Sequence, residues 1–176
     1  GPLSVMWTSL FVIDVSDPSL PQEVGGISLE DYALFPSVAI NGSYAHVTDG
    51  RTGLRIIDIS SPSLSHEVGF LDIGRDAKSI AVSGSYAYVI GGAGLRIIDI
   101  SSPSLPQEVG FFATDSSAIG VTVSGNYAYV AAGDSGMYII QNDLLVSVDD
   151  DNSHPGGIAF GANGTVFLAN GGGGLR

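Results

Sequence analysis

A nine-residue phrase recurs three times along this chain of 176 residues. Leu54-Arg55-Ile56-Ile57-Asp58-Ile59-Ser60-Ser61-Pro62 returns almost unchanged from Leu95 to Pro103, and a diverged copy runs from Leu10 to Pro18. The spacings are 44 and 41 residues. Self-similarity at a period of about 40 residues marks a repeat architecture, in which each unit completes its core only against its neighbours.

One full unit reads from Lys78 to Thr114. Ser79-Ile80-Ala81-Val82 is a short apolar run, and Tyr86-Ala87-Tyr88-Val89-Ile90 is aromatic and β-branched, as strands prefer. Leu95 to Ile100 gives a third strand, Ser101 to Pro106 a proline-punctuated loop, and Glu108 to Phe112 a fourth strand. Asn41-Gly42, Ser83-Gly84 and Ser124-Gly125 recur between first and second strands, where two-residue hairpins need a positive φ. Ile97-Ile98 and Ile139-Ile140 put large side chains on both faces of a strand, so these sheets are expected to be covered on both sides. The fold class is therefore all-β: a β-propeller of four-stranded antiparallel blades, about four blade-equivalents in one domain or propeller fragment. The second half of blade 1 is expected over 5–29, blade 2 over 37–73, blade 3 over 78–114, blade 4 over 119–149 and the first half of blade 5 over 156–176. Val5-Met6-Trp7 reads as the tail of a second strand. Open blade edges carry unpaired N–H and C=O groups, so self-association is expected.

Six basic and 18 acidic residues give a net charge of −12, which repels phosphate backbones and argues against nucleic-acid binding. There is no cysteine, so disulfides contribute no stability. No apolar run approaches the roughly 20 residues that span a bilayer as a helix. Gly1-Pro2-Leu3 has neither the basic start nor the apolar stretch of a signal peptide.

Leu54-Arg55-Ile56-Ile57-Asp58, Leu95-Arg96-Ile97-Ile98-Asp99 and Leu10-Phe11-Val12-Ile13-Asp14 resemble the LVIVD repeat of bacterial and archaeal surface-associated β-propellers, as does the block from Gly125 to Val130. Met137-Tyr138-Ile139-Ile140-Gln141 departs by losing the acid. The final stretch, with His154 to Phe160 and Asn163 to Phe167, resembles the first hairpin of NHL or lactonase-type blades. The resemblance implies the propeller fold and an extracellular or cell-surface setting, and no particular chemistry.

The repeated acids Asp14, Asp58 and Asp99 fall at a strand end before a turn, where a carboxylate accepts backbone N–H groups; they read as architecture. Arg55, Arg96 and Arg176 also recur, with an ion pair between blades as the expected role. His46 stands where other units have Tyr88 and Tyr129, and so should fill an aromatic slot. Asp149, Asp150 and Asp151, with Asn152, Ser153 and His154, form the densest charge. The sixth and twelfth positions, His154 and Phe160, break the EF-hand pattern, which favours a solvated loop and leaves calcium as the alternative. The three histidines lack zinc-ligand spacing, and no nucleophile elbow is present.

Loops joining fourth to first strands and second to third strands should share one face of a propeller, and function tends to sit on such loops. That face is expected to carry Asp31, Tyr32, Phe35, Asp49, Arg51, Arg75, Asp76, Asp115, Asp134 and His154. Aromatic and acidic groups together suit a protein, peptide or carbohydrate. The expected function is thus a non-catalytic protein- or carbohydrate-interaction scaffold of a secreted or cell-surface protein, without a cofactor. The alternative is a calcium-dependent propeller enzyme of the lactonase or sugar-lyase kind, which would need acidic and amide side chains converging on one channel mouth.

Overall fold

The computed structural model describes residues 8–29, 37–48, 53–74, 76–92, 94–114 and 118–141, together with the backbone of 155–160 and 166–170. Fifteen strands occupy these segments: β1 Thr8–Asp14, β2 Gln22–Leu29, β3 Ser37–Asn41, β4 Tyr44–Thr48, β5 Gly53–Asp58, β6 His66–Asp72, β7 Ser79–Ser83, β8 Tyr86–Gly91, β9 Gly94–Asp99, β10 Gln107–Ala113, β11 Gly120–Ser124, β12 Tyr127–Ala131, β13 Met137–Gln141, β14 Pro155–Phe160 and β15 Val166–Asn170. Every pairing is between neighbours in sequence and antiparallel. Sheet I holds β1–β2, sheet II β3–β6, sheet III β7–β10 and sheet IV β11–β13; β14–β15 form a separate hairpin. The fold is all-β, and among the described residues the propeller-like blades do not close into a ring. The fourth strand expected near the end of blade 4 and the strand tail at Val5-Met6-Trp7 lie outside the described residues.

The hairpins between first and second strands are tight because their loops have two residues. Asn41 pairs with Tyr44, Ser83 with Tyr86 and Ser124 with Tyr127. Gly42, Gly84 and Gly125 have φ of 58°, 57° and 56°. Glycine therefore occupies the first of the two loop positions, as in a type II′ turn.

The third and fourth strands share a repeated irregularity. Val24, Val68 and Val109 are the extra residues where the register shifts beside Val12/Ile13, Ile56/Ile57 and Ile97/Ile98. A bulge bends the strand and increases its twist, so identical bulges curve successive sheets alike.

The sheets stack face to face in chain order. Leu10, Ile27 and Leu29 of sheet I meet Ala45, Val47 and Ile57 of sheet II. Leu54 and Ile56 of sheet II meet Ile80, Ala87, Val89 and Ile98 of sheet III. Tyr88, Ile90, Leu95 and Ile97 of sheet III meet Ala128, Val130 and Ile140 of sheet IV. In each doublet one isoleucine faces the following sheet and its neighbour the preceding one, because successive strand residues point to opposite faces. Each buried Leu or Ile contributes about 1.5–3 kcal/mol.

The first strands β3, β7 and β11 lie side by side at one edge of the stack. The amide of Val121 donates to Ser79 Oγ at 3.2 Å, and Asn41 Nδ2 donates to the Gly84 carbonyl at 2.9 Å. At the outer edge, sheets are coupled through a glycine and a proline. A Cβ on Gly25 would lie 1.9 Å from the Pro62 carbonyl oxygen, and one on Gly69 would lie 2.0 Å from that of Pro103. The fourth strands of sheets I and II thus press their bare backbone onto the turn after the third strand of the next sheet.

Candidate interaction surfaces

The charged residues of the repeat are committed to structure. Asp14, Asp58 and Asp99 each accept, through Oδ1, the backbone N–H two residues on, from Ser16, Ser60 and Ser101, at 2.8 Å in every case. The backbone N–H of Ser101 and then its hydroxyl hold the Asp99 carboxyl below its ordinary value, and the same two groups of Ser16 act on Asp14. At Asp58 the Ser60 hydroxyl is the largest influence, followed by its amide. These carboxylates close turns, as their position before Ser-Ser-Pro implies.

The arginines depart from expectation. Arg55 pairs with Glu67 at 2.7 Å and Arg96 with Glu108 at 2.7 Å, each within one sheet and not between blades. Glu67 lies opposite Ile57, on the same face as Arg55, so the bond runs diagonally between third and fourth strands. Each guanidinium also lies over an aromatic ring, Phe70 at 5.2 Å and Phe111 at 5.3 Å. Arg176 lies outside the described residues.

His46 occupies the slot of Tyr88 and Tyr129 and is buried between β3 and β5, opposite Ala39 and Ile56. Burial pushes its pKa below 6.5, while a hydrogen bond to the Ala39 backbone opposes that shift.

The loop face can be traced only in part. Asp31, Tyr32, Phe35, Asp49, Arg51, Arg75, Asp115 and His154 lie outside the described residues, as do Asp149, Asp150 and Asp151. Asp76 is exposed between β6 and β7 with a φ of 76°, and its carbonyl lies against Gly91 at the end of β8. The adjacent Lys78 amide donates to the Ile90 carbonyl at 2.7 Å. The loop before a first strand and the turn after a second strand therefore do meet at one end. Asp134 lies in the one-turn helix Gly133–Ser135, in the turn between β12 and β13 at that same position of the repeat. Among the described residues no group of His, Asp and Glu is arranged to hold a metal ion. No described helix is long and apolar enough to cross a membrane.

The opposite end carries a feature that the sequence reading passed over. Leu20, Leu64 and Leu105 are 61%, 73% and 64% exposed, each in the turn between a third and a fourth strand. Their amides donate to the carbonyls of Asp17, Ser61 and Ser102 at 2.8–3.0 Å, so all three sit in the same fixed turn. Adjacent sheets pack roughly 10 Å apart, which sets these leucines in a row. The signal was present as one leucine recurring in each Ser/Pro loop, where a merely solvated turn has no need of one.

The LVIVD repeat profile matches residues 4–28, 36–72, 74–114 and 116–144. No curated protein matches the chain. Among solved structures, the chain is similar to the crystal structure of a computationally designed protein, Ika8, at 13% identity and a TM-score of 0.53. That match covers 74% of this chain and 41% of the designed one, so this chain spans less than half of that protein. The likeness bears on fold alone. Four consecutive repeat matches, coinciding with sheets that reuse one set of turns, bulges and ion pairs, establish that the chain belongs to the LVIVD-repeat family.

Proposed function

We propose that this chain is a non-catalytic protein-interaction scaffold of a secreted or cell-surface protein, and that it binds through the row formed by Leu20, Leu64 and Leu105. The observation that carries the reading is three large apolar side chains held exposed, at repeat spacing, on turns closed by the same hydrogen bond. An exposed leucine gains about 1.5–3 kcal/mol when fully covered, so a partner that covers all three gains useful affinity from preformed turns. Glu67 and Glu108, at the exposed starts of fourth strands, are already matched by Arg55 and Arg96, so the charge argument rests on the chain as a whole. The net charge of −12 favours a partner whose apolar groove is rimmed by basic residues. A protein surface meets that description better than a carbohydrate does. The loop face bearing Asp31, Tyr32 and Phe35, which departs from the repeat, is proposed as a second contact region. The calcium-dependent enzyme reading draws no support from the described residues.

The test replaces Leu20, Leu64 and Leu105 together with serine. The exposed turns keep their backbone bonds, so the melting temperature stays near that of the parent. Binding to partners recovered with the parent protein and then purified should be lost. Equal binding by the triple variant would overturn the role of the row.

A further inference from the structure

We propose that a second copy of this chain seats the open face of its sheet I on the open face of sheet IV, making a head-to-tail contact between copies. The proposal stands apart from the leucine row, which lies on another surface.

The internal sheets show what these two faces lack. On the face that looks toward the following sheet, Leu54, Ile56, Leu95 and Ile97 are at most 1% exposed. Their counterparts in sheet IV, Met137 and Ile139, are 60% and 50% exposed. On the face that looks toward the preceding sheet, Ile57, Ile98 and Ile140 are 0–5% exposed, whereas their counterpart Ile13 is 45% exposed. The two open faces are thus the two halves of a contact that the chain makes internally, with Ile56 against Ile98 and Ile97 against Ile140. Both are open at once on one copy, so a copy does not satisfy itself.

Side-chain choice points the same way. Arg55 and Arg96 occupy one position of the third strand, and the corresponding residue of sheet I is Phe11, which is 59% exposed. Sheet I thus presents an exposed aromatic ring where sheets II and III carry a paired charge. β1 also has no strand on its outer side among the described residues, and Val38 and Ile40 on β3 remain exposed where Ile80 of β7 is buried. The β14–β15 hairpin has the type of a first and second strand, the two that sheet I lacks among the described residues. Head-to-tail contacts of this kind either close into a ring or propagate.

The measurement is solution mass by light scattering over a range of concentrations, for the parent, Ile13→Asp and Ile139→Asp. Both substituted positions are exposed in the single copy, so each variant should fold as the parent does; the far-ultraviolet spectrum and melting temperature verify this. The parent should assemble with rising concentration, and each variant alone should remain a single chain. Mixing the two variants should restore a pair, because one keeps an intact sheet I face and the other an intact sheet IV face. Ile13→Cys and Ile139→Cys provide a second readout, since the chain has no cysteine of its own. On oxidation the two variants should cross-link to each other more readily than either does to itself. A parent that stays single at every concentration, an assembly that survives either aspartate, or a failure of the mixture to pair and cross-link overturns the proposal.

Discussion

At His46 the repeat places a titratable ring where its sister units place tyrosine. Burial lowers its pKa from 6.5, so below that pH the unfolded chain binds a proton that the folded chain resists. Stability contributed by neutral His46 is therefore complete above pH 6.5 and declines as the pH falls, until the folded-state pKa is passed. Thermal melts from neutral to mildly acidic pH should show this decline, and His46→Tyr should flatten that part of the profile. Gly69 poses a different demand. It stands where a methyl group would meet the Pro103 backbone at 2.0 Å, so Gly69→Ala must displace one sheet from the next. Overpacking of that kind costs about 1–3 kcal/mol. Urea denaturation should show the loss together with altered packing at the junction of sheets II and III. Gly84→Ala faces open space and strains only a φ of 57°, so its effect should stay within the hairpin turn.

At the scale of the element, strand order, hairpin positions and doubly buried isoleucines were legible in the sequence, because alternation and turn residues encode them locally. The arginine partners were not. Face alternation along β5 correctly separates Arg55 from its neighbours, but it says nothing of which acid the bulged fourth strand brings across. The valine bulge, visible only once two strands are paired, puts Glu67 and Glu108 within 2.7 Å of the guanidinium groups. The leucine row escaped for a similar reason, since a loop read as punctuation hides what its tip presents. A double-mutant cycle on Arg96 and Glu108, with side chains 26% and 32% exposed, should return a coupling of about 0.5–1 kcal/mol that shrinks with salt. Arg96→Ala should cost slightly more than the pair alone, because the stacking on Phe111 goes with it.

Across the whole molecule, stability in a stacked array follows from the number of covered faces. Sheets II and III are both covered on two sides, sheet II by Leu10 and Leu29 on one and by Ile80 and Ile98 on the other, sheet III by Leu54 and Ile56 on one and by Val130 and Ile140 on the other. Hydrogen exchange should therefore be slowest in β4, β5, β8 and β9 and fastest in β1 and β13. A uniform rate across the sheets would mean that the stack opens as one cooperative body.

The contact between a bulge glycine and the next unit's proline has a bearing on how such chains lengthen. The first three units each carry this proline and glycine (Pro18 and Gly25, Pro62 and Gly69, Pro103 and Gly110), and Gly25 meets Pro62 as Gly69 meets Pro103. Duplicating a unit therefore duplicates a matched plug and socket, and the copy docks at the same rotation without new residues having to arise. Gene duplication can extend or trim the stack one blade at a time, which accounts for near-verbatim copies at Leu54–Pro62 and Leu95–Pro103 standing beside an older, diverged one.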